Sequence, residues 1–380
     1  MPSTIQLFRP TVGEEEVQAV AEVLRSGWLG LGPKTEEFEK AFAAYVGAKF
    51  VVGTISCTSA LDLAIKMLNL RPGDEIVVPA ITFISSAHAI VYNQCRPVFV
   101  DVEPDTLNIS VNDLERKISA RTKAIVAVHY SGRPVDLDAV AEVAGGIPII
   151  EDCAHATGSQ YKGRSVGTFG KYGCFSFHAV KNLTMGEGGA ISINDSDDYQ
   201  RARQLRWLGI DKGTWERTPD NKEYWWEYSV NEIGLKCHLN DILAAIGLEQ
   251  LKKVDRLNAR RRQIGEIYRR EFAGLDWLEM PPPDDEVFRS AWHIFCAKLR
   301  RHDRNEFSQH LREQGIMTGV HYKPIHLYHC YGHQEPLPVA EAIFKRIISL
   351  PNHASLSDDD VSRIVEAVRR FVPTAKSPGR

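Results

Sequence analysis

The sequence predicts an α/β protein with a mostly parallel sheet that helices cover on both faces. Short, continuously apolar runs recur along the first half of the chain, which is typical of strands buried on both faces. They include "DEIVVPA", "RPVFVDV", "AIVAVHYSG" and "IPIIEDCA". Segments with helical spacing of apolar residues lie between them, for example "LDAVAEVAG". This alternation favours a parallel sheet, because crossover connections place helices on its faces.

The chain opens with two predicted helices, then a strand and a third helix. Both helices have apolar residues at helical spacing and end at a glycine. They are "EEEVQAVAEVLRSG" and "KTEEFEKAFAAYVGAK". "FVVGT" is the first predicted strand, and "SCTSALDLAIKML" is a helix that serine and threonine residues open. Two further apolar runs, "CFSF" and "GEGGAISI", predict strands around residue 181.

The pattern changes near residue 245. One long charged helix is predicted over residues 244–272, followed by a loop rich in proline and acidic residues, "EMPPPDDEV". Smaller α and β segments come next, and "SLSDDDVSRIVEAVRRFV" predicts a capped helix near the end of the chain. The last residues, "TAKSPGR", are expected to be a frayed tail.

Composition excludes several functional classes. The net charge of −3 provides no basic field for nucleic acid. The N-terminus shows no secretory signal pattern, and no apolar run approaches the roughly 20 residues of a membrane span. The seven cysteines are scattered and form no C-x-x-C pair. We therefore expect a reduced, cytoplasmic protein that binds neither nucleic acid nor a membrane.

Three groups of polar residues lie at predicted strand ends, where ligands of open α/β sheets bind. Thr58 and Ser59 open the helix after "FVVGT", so they either cap that helix or help its N-terminus to bind phosphate. Asp152 directly follows an apolar strand and must be paired or functional if it is buried. Ser176 and Lys181 lie in "CFSFHAVKNLTMGEGG", where Lys181 stands between two apolar runs.

A phosphate-binding turn, a buried acid and an isolated lysine are the parts that pyridoxal 5'-phosphate (PLP) requires. A lysine amine reacts with its aldehyde, a carboxylate pairs with its ring nitrogen, and dipoles hold its phosphate. The other interpretation of Lys181 is a solvated lysine in a loop. The apolar strands predicted on either side of it argue against that interpretation.

Many ordered blocks of the chain resemble the DegT/StrS family of PLP-dependent nucleotide-sugar aminotransferases. They run from near the N-terminus to about residue 370. They include "SGWLGLGPKTEEFEKAFAAYVG", "PAITFISSAHAI", "EDCAHATGSQYKGRSVGTFG", "FSFHAVKNLTMGEGGAI", "LNDILAAIGLEQL", "HYKPIH" and "SLPNH". The resemblance implies fold type I, with a seven-stranded, mostly parallel sheet in a large PLP-binding domain, residues 1–250. It also implies a smaller α+β domain, residues 251–380, and a homodimer with shared active sites.

The resemblance also implies roles for individual residues. Lys181 corresponds to the catalytic lysine that reacts with PLP, and Asp152 to the partner of the ring nitrogen. His155 takes a place where the family has glutamine or histidine beside the ring hydroxyl. Phe83 corresponds to the aromatic residue that stacks on the ring. The residues that correspond to phosphate contacts are Thr58, Ser59 and Ser176.

One segment departs from part of the family. Some members have "GYNYR" before the "AAIGL" helix, and its asparagine reaches the phosphate bound by the partner subunit. This chain has "GLKCHLND", with Lys236 and His238 in those places. A lysine suits a phosphate, so we expect Lys236 to contact the cofactor bound mainly by the other subunit. The aromatic run "YWWEYSV", residues 224–230, either packs internally or lines the substrate cleft or the dimer interface.

A histidine-rich segment, "HYKPIHLYHCYGH", could be interpreted as a metal site. Pro324 and the turn-like composition break helical geometry, and no second set of ligands is evident, so we predict no metal. The family resemblance instead places His321, Tyr322 and His326 near the sugar-nucleotide substrate.

The resemblance implies that L-glutamate donates an amino group, leaving the pyridoxamine form (PMP), which then aminates C3 or C4 of a nucleotide-linked keto deoxysugar. Lys181 would move the proton. Polysaccharide biosynthesis is an expected role. Two alternatives stay open: a PMP-dependent sugar dehydratase, which has histidine in place of the lysine, and a non-catalytic sensor on the same fold.

Overall fold

The computed structural model describes residues 4–211, 228–300 and 303–372. Its strands are β1 (Phe50–Thr54), β2 (Glu75–Pro79), β3 (Arg96–Val100), β4 (Thr122–Val128), β5 (Ile149–Asp152), β6 (Gln160–Tyr161), β7 (Arg164–Ser165), β8 (Tyr172–Ser176), β9 (Gly189–Ile193), β10 (Leu278–Glu279), β11 (Phe288–Arg289), β12 (Phe295–Leu299) and β13 (Ile347–Leu350).

The α-helices of the described residues are α1 (Glu14–Ser26), α2 (Pro33–Val46), α3 (Cys57–Met67), α4 (Ser85–Tyr92), α5 (Val111–Lys117), α6 (Leu137–Ala144), α7 (Ser196–Leu205), α8 (Asp241–Leu251), α9 (Val254–Phe272), α10 (Arg304–Glu313), α11 (Pro338–Phe344) and α12 (Asp358–Arg370). Helices and strands alternate from α2 to β5, as the sequence pattern predicts.

The largest sheet has seven strands in the order β1-β9-β8-β5-β4-β2-β3. Strands β2, β3, β4, β5 and β8 pair in parallel. β9 runs antiparallel to both of its neighbours, β1 and β8. β1 therefore points the same way as β8. The predicted fold class, with a mostly parallel seven-stranded sheet, is confirmed.

Both faces of this sheet are buried, because successive residues of one strand point to opposite faces. Ile76 and Val78 of β2 pack into one core with residues of α3 and α4. Val77, between them, packs into a second core with residues of α2 and α6. The sheet therefore separates two hydrophobic layers, and its strands are apolar throughout.

The described residues also form two smaller sheets. β10, β12 and β13 form one, and β11, β6 and β7 form the other. The first sheet shares a third core with α9, α10 and α12. Pairing of β11 with β6 joins residues 160–161 to residues 288–289. The domain boundary predicted after residue 250 remains a prediction.

The prediction of one helix over residues 244–272 is wrong. Two helices, α8 and α9, occupy this stretch and are separated at Lys252 and Lys253. The two helices pack in different places: α8 lies against α1 and α2, whereas α9 lies against α12. At the break, the Lys253 amine lies 2.8 Å from the Glu16 carboxylate of α1. These long-range contacts determine the break, so periodicity along the sequence does not show it.

The predicted capped helix near the C-terminus is confirmed as α12. Its N-cap, Ser357, accepts from the Asp360 amide, and Asp360 reaches back to the Ser357 amide, which forms a capping box. Among the described helices, none is long and apolar enough to cross a membrane. All seven cysteines are free thiols. The predicted tail, residues 374–380, and residues 224–227 of the aromatic run lie outside the described residues.

Candidate active site

A cavity of about 360 Å³ lies at the carboxyl edge of the large sheet. Parallel strands bring their carboxyl ends to the same edge, so segments far apart in sequence meet there. Of the predicted site residues, those that line the cavity are Thr58, Phe83, Asp152, Ser176, Lys181, His321 and Tyr322. Other lining residues were not predicted, among them Phe8, Ser56, Ser85, His178, Glu187 and His293.

Lys181 lies in the loop between β8 and β9 and is half-buried. Its amine makes no hydrogen bond or ion pair with the described residues, although its backbone N–H donates to the carbonyl of His178. Burial lowers its pKa to about 8, while nearby Cys57 and Asp152 oppose that shift. Near neutral pH, Lys181 is therefore a neutral amine, and hence a nucleophile, far more often than an ordinary lysine.

Asp152 is the last residue of β5, and its carboxylate is buried. One oxygen, Oδ2, accepts from the Ser86 hydroxyl at 2.7 Å, and Oδ1 accepts from the Ala154 amide at 3.0 Å. Burial raises the pKa of this carboxyl, and the Ser86 and Ala154 hydrogen bonds and the Lys181 charge counteract the rise. The carboxylate is thus fixed in direction and lacks a cationic partner within salt-bridge distance among the described residues.

Glu151, the residue before Asp152, holds the end of β5 in place from the opposite face of the sheet. Glu151 is completely buried and points to the opposite face of β5. Its Oε1 accepts from the amides of Phe169 and Gly170, both at 2.7 Å. Its Oε2 accepts from the Gly167 amide at 2.7 Å and lies 3.0 Å from His129 Nε2. We call this arrangement the Glu151 clamp, and it ties β5 to the 167–170 loop.

Hydroxyl groups surround the start of α3. Ser56 is the N-cap of this helix, and its hydroxyl accepts from the Ser59 amide at 3.1 Å. Thr58 faces the cavity and lies 2.7 Å from the Ser85 hydroxyl. Ser59 does not line the cavity; its hydroxyl is 3.0 Å from that of Ser56. Free N–H groups, the helix dipole and the hydroxyls together form a site suited to a phosphate.

A close approach of β9 shapes the same wall. A Cβ added at Gly189 would lie 2.3 Å from the Ser56 carbonyl carbon and 2.5 Å from the Cys57 amide nitrogen. Only glycine allows the strand to come this near to the start of α3. The glycine-rich sequence after Lys181 therefore has a steric role beside the predicted phosphate site.

Aromatic residues form the rest of the wall. Phe83 is 54% exposed, unusually high for a phenylalanine, and its ring centroid is 5.9 Å from that of Tyr322. His155 is buried beneath the cavity rather than lining it, and its Nε2 is 3.0 Å from the Tyr322 hydroxyl. His321 lines the cavity, and its Nδ1 is 2.8 Å from the Ser349 hydroxyl. Burial, with a contribution from the Lys181 charge, lowers the pKa of His321 to about 4.

Two predicted site residues lie away from the cavity of a single chain. The Lys236 amine sits 3.4 Å above the centre of the Trp207 ring and 3.4 Å from His238 Nδ1. His326 is buried and lies 3.1 Å from a Glu341 carboxylate oxygen. The structure thus gives His326 a hydrogen-bonding partner within the chain and does not place it in the cavity lining. Lys236 is likewise absent from the cavity lining.

The histidine-rich segment does not gather metal ligands. Within the described parts of the chain, the ligand atoms of His129, Glu151 and Cys153 form the group that comes within 4.8 Å of one another. Both Glu151 oxygens already accept hydrogen bonds in the Glu151 clamp. Burial raises the pKa of the Cys153 thiol, so it stays protonated. Hydrogen bonding and burial account for this group.

The donor set fits PLP. The cavity offers one amine without a hydrogen-bonding partner among the described residues, Lys181, and one buried carboxylate, Asp152, for a ring nitrogen. Its hydroxyls and the start of α3 can receive a phosphate, and the exposed ring of Phe83 can cover a flat group.

Ser86 and His293 are two functional candidates that the sequence analysis missed. Ser86 is the second residue of α4 and contacts Asp152 only because β2 and β5 end at the same edge. His293 sits in "AWHIF", where its apolar neighbours resemble core. Nothing in the local pattern distinguishes either from packing residues, since the contacts that matter span 66 and 111 positions.

The chain was compared with known proteins. Residues 10–369 match the model of the DegT/DnrJ/EryC1/StrS aminotransferase family. The spore coat polysaccharide biosynthesis protein SpsC of Bacillus subtilis (strain 168) is 40% identical over 378 residues, which cover 96% of each chain. These matches span nearly the whole chain.

Solved structures agree with this match. The sugar aminotransferase CalS13 from Micromonospora echinospora has a TM-score of 0.88 at 35% identity, covering 96% of this chain and 99% of that chain. Spr1654 from Streptococcus pneumoniae in its PMP-form has a TM-score of 0.89 at 33% identity, covering 96% of each chain. It has also been solved in a PLP-form. The predicted fold type and enzyme class are confirmed, and the chain belongs to the DegT/DnrJ/EryC1/StrS aminotransferase family.

Proposed function

We propose that the enzyme transfers the amino group of L-glutamate to a keto group, at C3 or C4, of a nucleotide-linked deoxysugar. The observation that carries the proposal is the Lys181 amine, without a hydrogen-bonding partner among the described residues, in one cavity with the buried Asp152 carboxylate. SpsC, a protein of spore coat polysaccharide biosynthesis, and CalS13, a sugar aminotransferase, support a sugar acceptor. We accordingly place the reaction in polysaccharide biosynthesis.

The predicted cofactor, PLP with its PMP form, is confirmed by relatives that were solved in both forms. When bound, it supplies the electron sink that lets the carbon bearing the amino group lose a proton. Asp152 would hold the ring nitrogen, and the start of α3 with Thr58 and Ser176 would hold the phosphate. Phe83 would cover one face of the ring.

Lys181 would then move the proton at its Nζ atom. A group that both removes and returns a proton works best when its pKa is close to the operating pH. Burial lowers the pKa of Lys181 to about 8, which meets this condition. Lys181 can therefore act as base and as acid in successive steps.

The acceptor would lie against His321 and Tyr322. The lowered pKa of His321 keeps its ring neutral, so it offers hydrogen bonds rather than charge. Among the described residues, no arginine lines the cavity, and Lys181 is the lysine that does. We propose that a second copy of the chain supplies Lys236 to the phosphate of the cofactor. The free thiols agree with a cytoplasmic location.

The test is transfer of nitrogen-15 from labelled glutamate to a panel of nucleotide-linked 3-keto and 4-keto deoxysugars, followed by mass spectrometry. The proposal expects a product that gains one labelled nitrogen, together with 2-oxoglutarate. A Lys181→Ala variant serves as the control and should give no labelled product.

The two alternatives give different results in the same experiment. A dehydratase would remove water from the sugar and leave the label in glutamate. A sensor would bind its ligands without changing either the sugar or glutamate. The lysine at position 181 argues against the dehydratase, since that branch of the family has histidine there. Label retained in glutamate with every acceptor would contradict the proposed function.

A further inference from the structure

We propose that His293 is a specificity-determining residue: its Nε2 atom accepts a hydrogen bond from a hydroxyl of the sugar acceptor, beside the carbon that is aminated. The inference deepens the proposed function and rests on it. It comes from a buried polar network that fixes which nitrogen of the ring carries the proton.

His293 borders the cavity although only 2% of it is exposed. The Phe8 ring stacks on it with centroids 5.5 Å apart, and the same Phe8 ring meets His321 edge-on at 5.5 Å. His293 therefore belongs to the wall that carries the residues predicted for the acceptor. Its Nε2 makes no hydrogen bond with the described residues, whereas its Nδ1 lies 2.9 Å from Asn182 Oδ1.

The amide of Asn182 has a defined orientation. Its nitrogen lies 2.7 Å from Asn258 Oδ1 and 2.8 Å from the Ala291 carbonyl oxygen. Both partners are acceptors, so the group facing them must be the donor NH₂. The oxygen of Asn182 then faces His293 Nδ1. Because an amide oxygen only accepts, Nδ1 must carry the ring proton.

Asn258 is fixed in turn by Arg261. Arg261 is a buried guanidinium that only donates, and it reaches Asn258 Oδ1 at 3.4 Å. The Asn258 nitrogen donates to the Thr157 carbonyl at 2.9 Å. Donation in the network therefore converges on Asn258 Oδ1, from Arg261 on one side and from His293 through Asn182 on the other. Its last member, His293, is left with a proton on Nδ1 and a bare lone pair on Nε2.

This lone pair selects the kind of ligand group. Burial and the neighbouring charges of Lys181, His155 and Arg261 lower the pKa of His293 far below its usual value, so the ring stays neutral. A neutral ring with bare Nε2 cannot donate to a phosphate, a carboxylate or a keto oxygen. It can accept from a hydroxyl, and sugars present hydroxyls next to the reacting carbon. A site built to bond a hydroxyl discriminates strongly against analogues that lack it.

The experiment compares two acceptors, a nucleotide-linked 4-keto-6-deoxyhexose with the 3-hydroxyl and its 3-deoxy counterpart. Nitrogen-15 transfer from glutamate gives kcat/KM for each. We expect the wild type to prefer the hydroxylated acceptor by about tenfold, the effect of one hydrogen bond, and His293→Phe to bring this ratio close to one. His293→Gln, whose carbonyl oxygen can occupy the place of Nε2, should restore part of the preference.

A matched control is His353→Phe, which removes a buried histidine that bonds the Gln6 carbonyl and does not line the cavity. It should keep the wild-type ratio. The first half-reaction is followed as the change in cofactor absorbance when glutamate alone is added. Its rate in His293→Phe should be close to that of the wild type, which would also show that the variant is folded.

The outcomes separate this inference from the proposed function. A wild-type preference that persists in His293→Phe would overturn the inference. So would a loss of rate in the glutamate half-reaction as large as the loss of rate with the sugar acceptor. A wild type that transfers label to the panel but does not prefer the hydroxylated acceptor would overturn it as well. Failure of the wild type to label any acceptor would overturn the proposed function itself.

Discussion

At the scale of single residues, the site depends on two ionisable groups whose pKa values burial moves toward each other. Burial lowers the pKa of Lys181 to about 8 and raises the pKa of Asp152. Neither forms a salt bridge with the described residues. A bound ligand that brings a positive ring nitrogen to Asp152 would relieve the unfavourable burial of its charge. The unpaired Asp152 carboxylate of the free enzyme therefore favours binding of such a ligand.

The Asp152 carboxylate tests this view. We expect Asp152→Asn to lose far more activity than Asp152→Glu, because a neutral amide cannot keep a ring nitrogen protonated. A charge-assisted hydrogen bond contributes roughly 1.5–3 kcal/mol, so the loss in kcat should be at least about tenfold. Initial rates of amino transfer, with cofactor content measured by absorbance, provide the comparison. An Asn variant with near wild-type rates would show that Asp152 is structural.

Sequence alone was enough to predict the residues that stand at strand ends. Asp152 and Ser176 end β5 and β8, and Thr58 and Lys181 lie within five residues of the ends of β1 and β8, so the sheet brings them together. The family resemblance added Tyr322 and also Phe83, which local pattern would have assigned to the core. Ser86 and His293 could not be predicted, because they contribute through partners such as Asp152 and Asn182 that only the folded chain brings near.

At the scale of elements, the Glu151 clamp joins β5 to the loop before β8. Burial raises the pKa of Glu151, but hydrogen bonds from His129, Gly170 and Gly167 outweigh it and lower the pKa below its usual value. The clamp holds the end of β5, and Asp152 with it, in a fixed direction. The buried Glu151 carboxylate therefore contributes both to the stability of the fold and to the position of Asp152.

Glu151→Gln should destabilise the protein by about 3 kcal/mol, since an amide NH₂ would face backbone N–H donors. Chemical denaturation measures the change in the free energy of unfolding. Glu142→Gln is the matched control, because Glu142 is exposed on α6. A loss below about 0.5 kcal/mol for Glu151→Gln, the size typical of surface substitutions, would contradict the clamp.

The clamp also has a pH signature. A carboxyl whose folded pKa is lowered stabilises the fold above its unfolded pKa, and this contribution is lost as pH falls through the folded pKa. The wild type should therefore lose part of its stability in acid below the usual glutamate range, whereas Glu151→Gln should lose less. An equal acid loss in both proteins would contradict the assignment.

Element boundaries show where sequence patterns fail. The alternation from α2 to β5 follows from hydrophobic periodicity and was predicted. The break between α8 and α9 was not, because it depends on the packing of α8 against α1 and of α9 against α12. Periodicity reports the buried face of a helix, whereas the end of a helix depends on its neighbours.

At the scale of the whole molecule, the surface around Lys236 is suited to contact with a second copy of the chain. Large apolar side chains near it are exposed: Ile233 by 85%, Val230 by 56% and Leu208 by 45%. Such residues clustered in one segment are typical of an interface. Lys236 pairs with Trp207 in an isolated bridge, so the segment has a defined position from which its amine could reach outward.

A mixed dimer tests the shared site. Lys181→Ala and Lys236→Ala chains should each be inactive or impaired as homodimers. A heterodimer of the two contains one site with both lysines, so activity should return to nearly half that of the wild type. The result requires that Lys236→Ala alone be severely impaired. Heterodimers no more active than the separate variants would refute a shared site.

The central claim is that Lys181 is the amine that reacts with the cofactor, and borohydride reduction followed by peptide mapping tests it most directly. Reduction fixes the cofactor covalently to the amine that carries it, and mass spectrometry of the digest locates the label. We predict the label on Lys181 and no covalent label in Lys181→Ala, which should still hold PLP through Asp152 and the start of α3. A label on another lysine of the wild type would contradict the account.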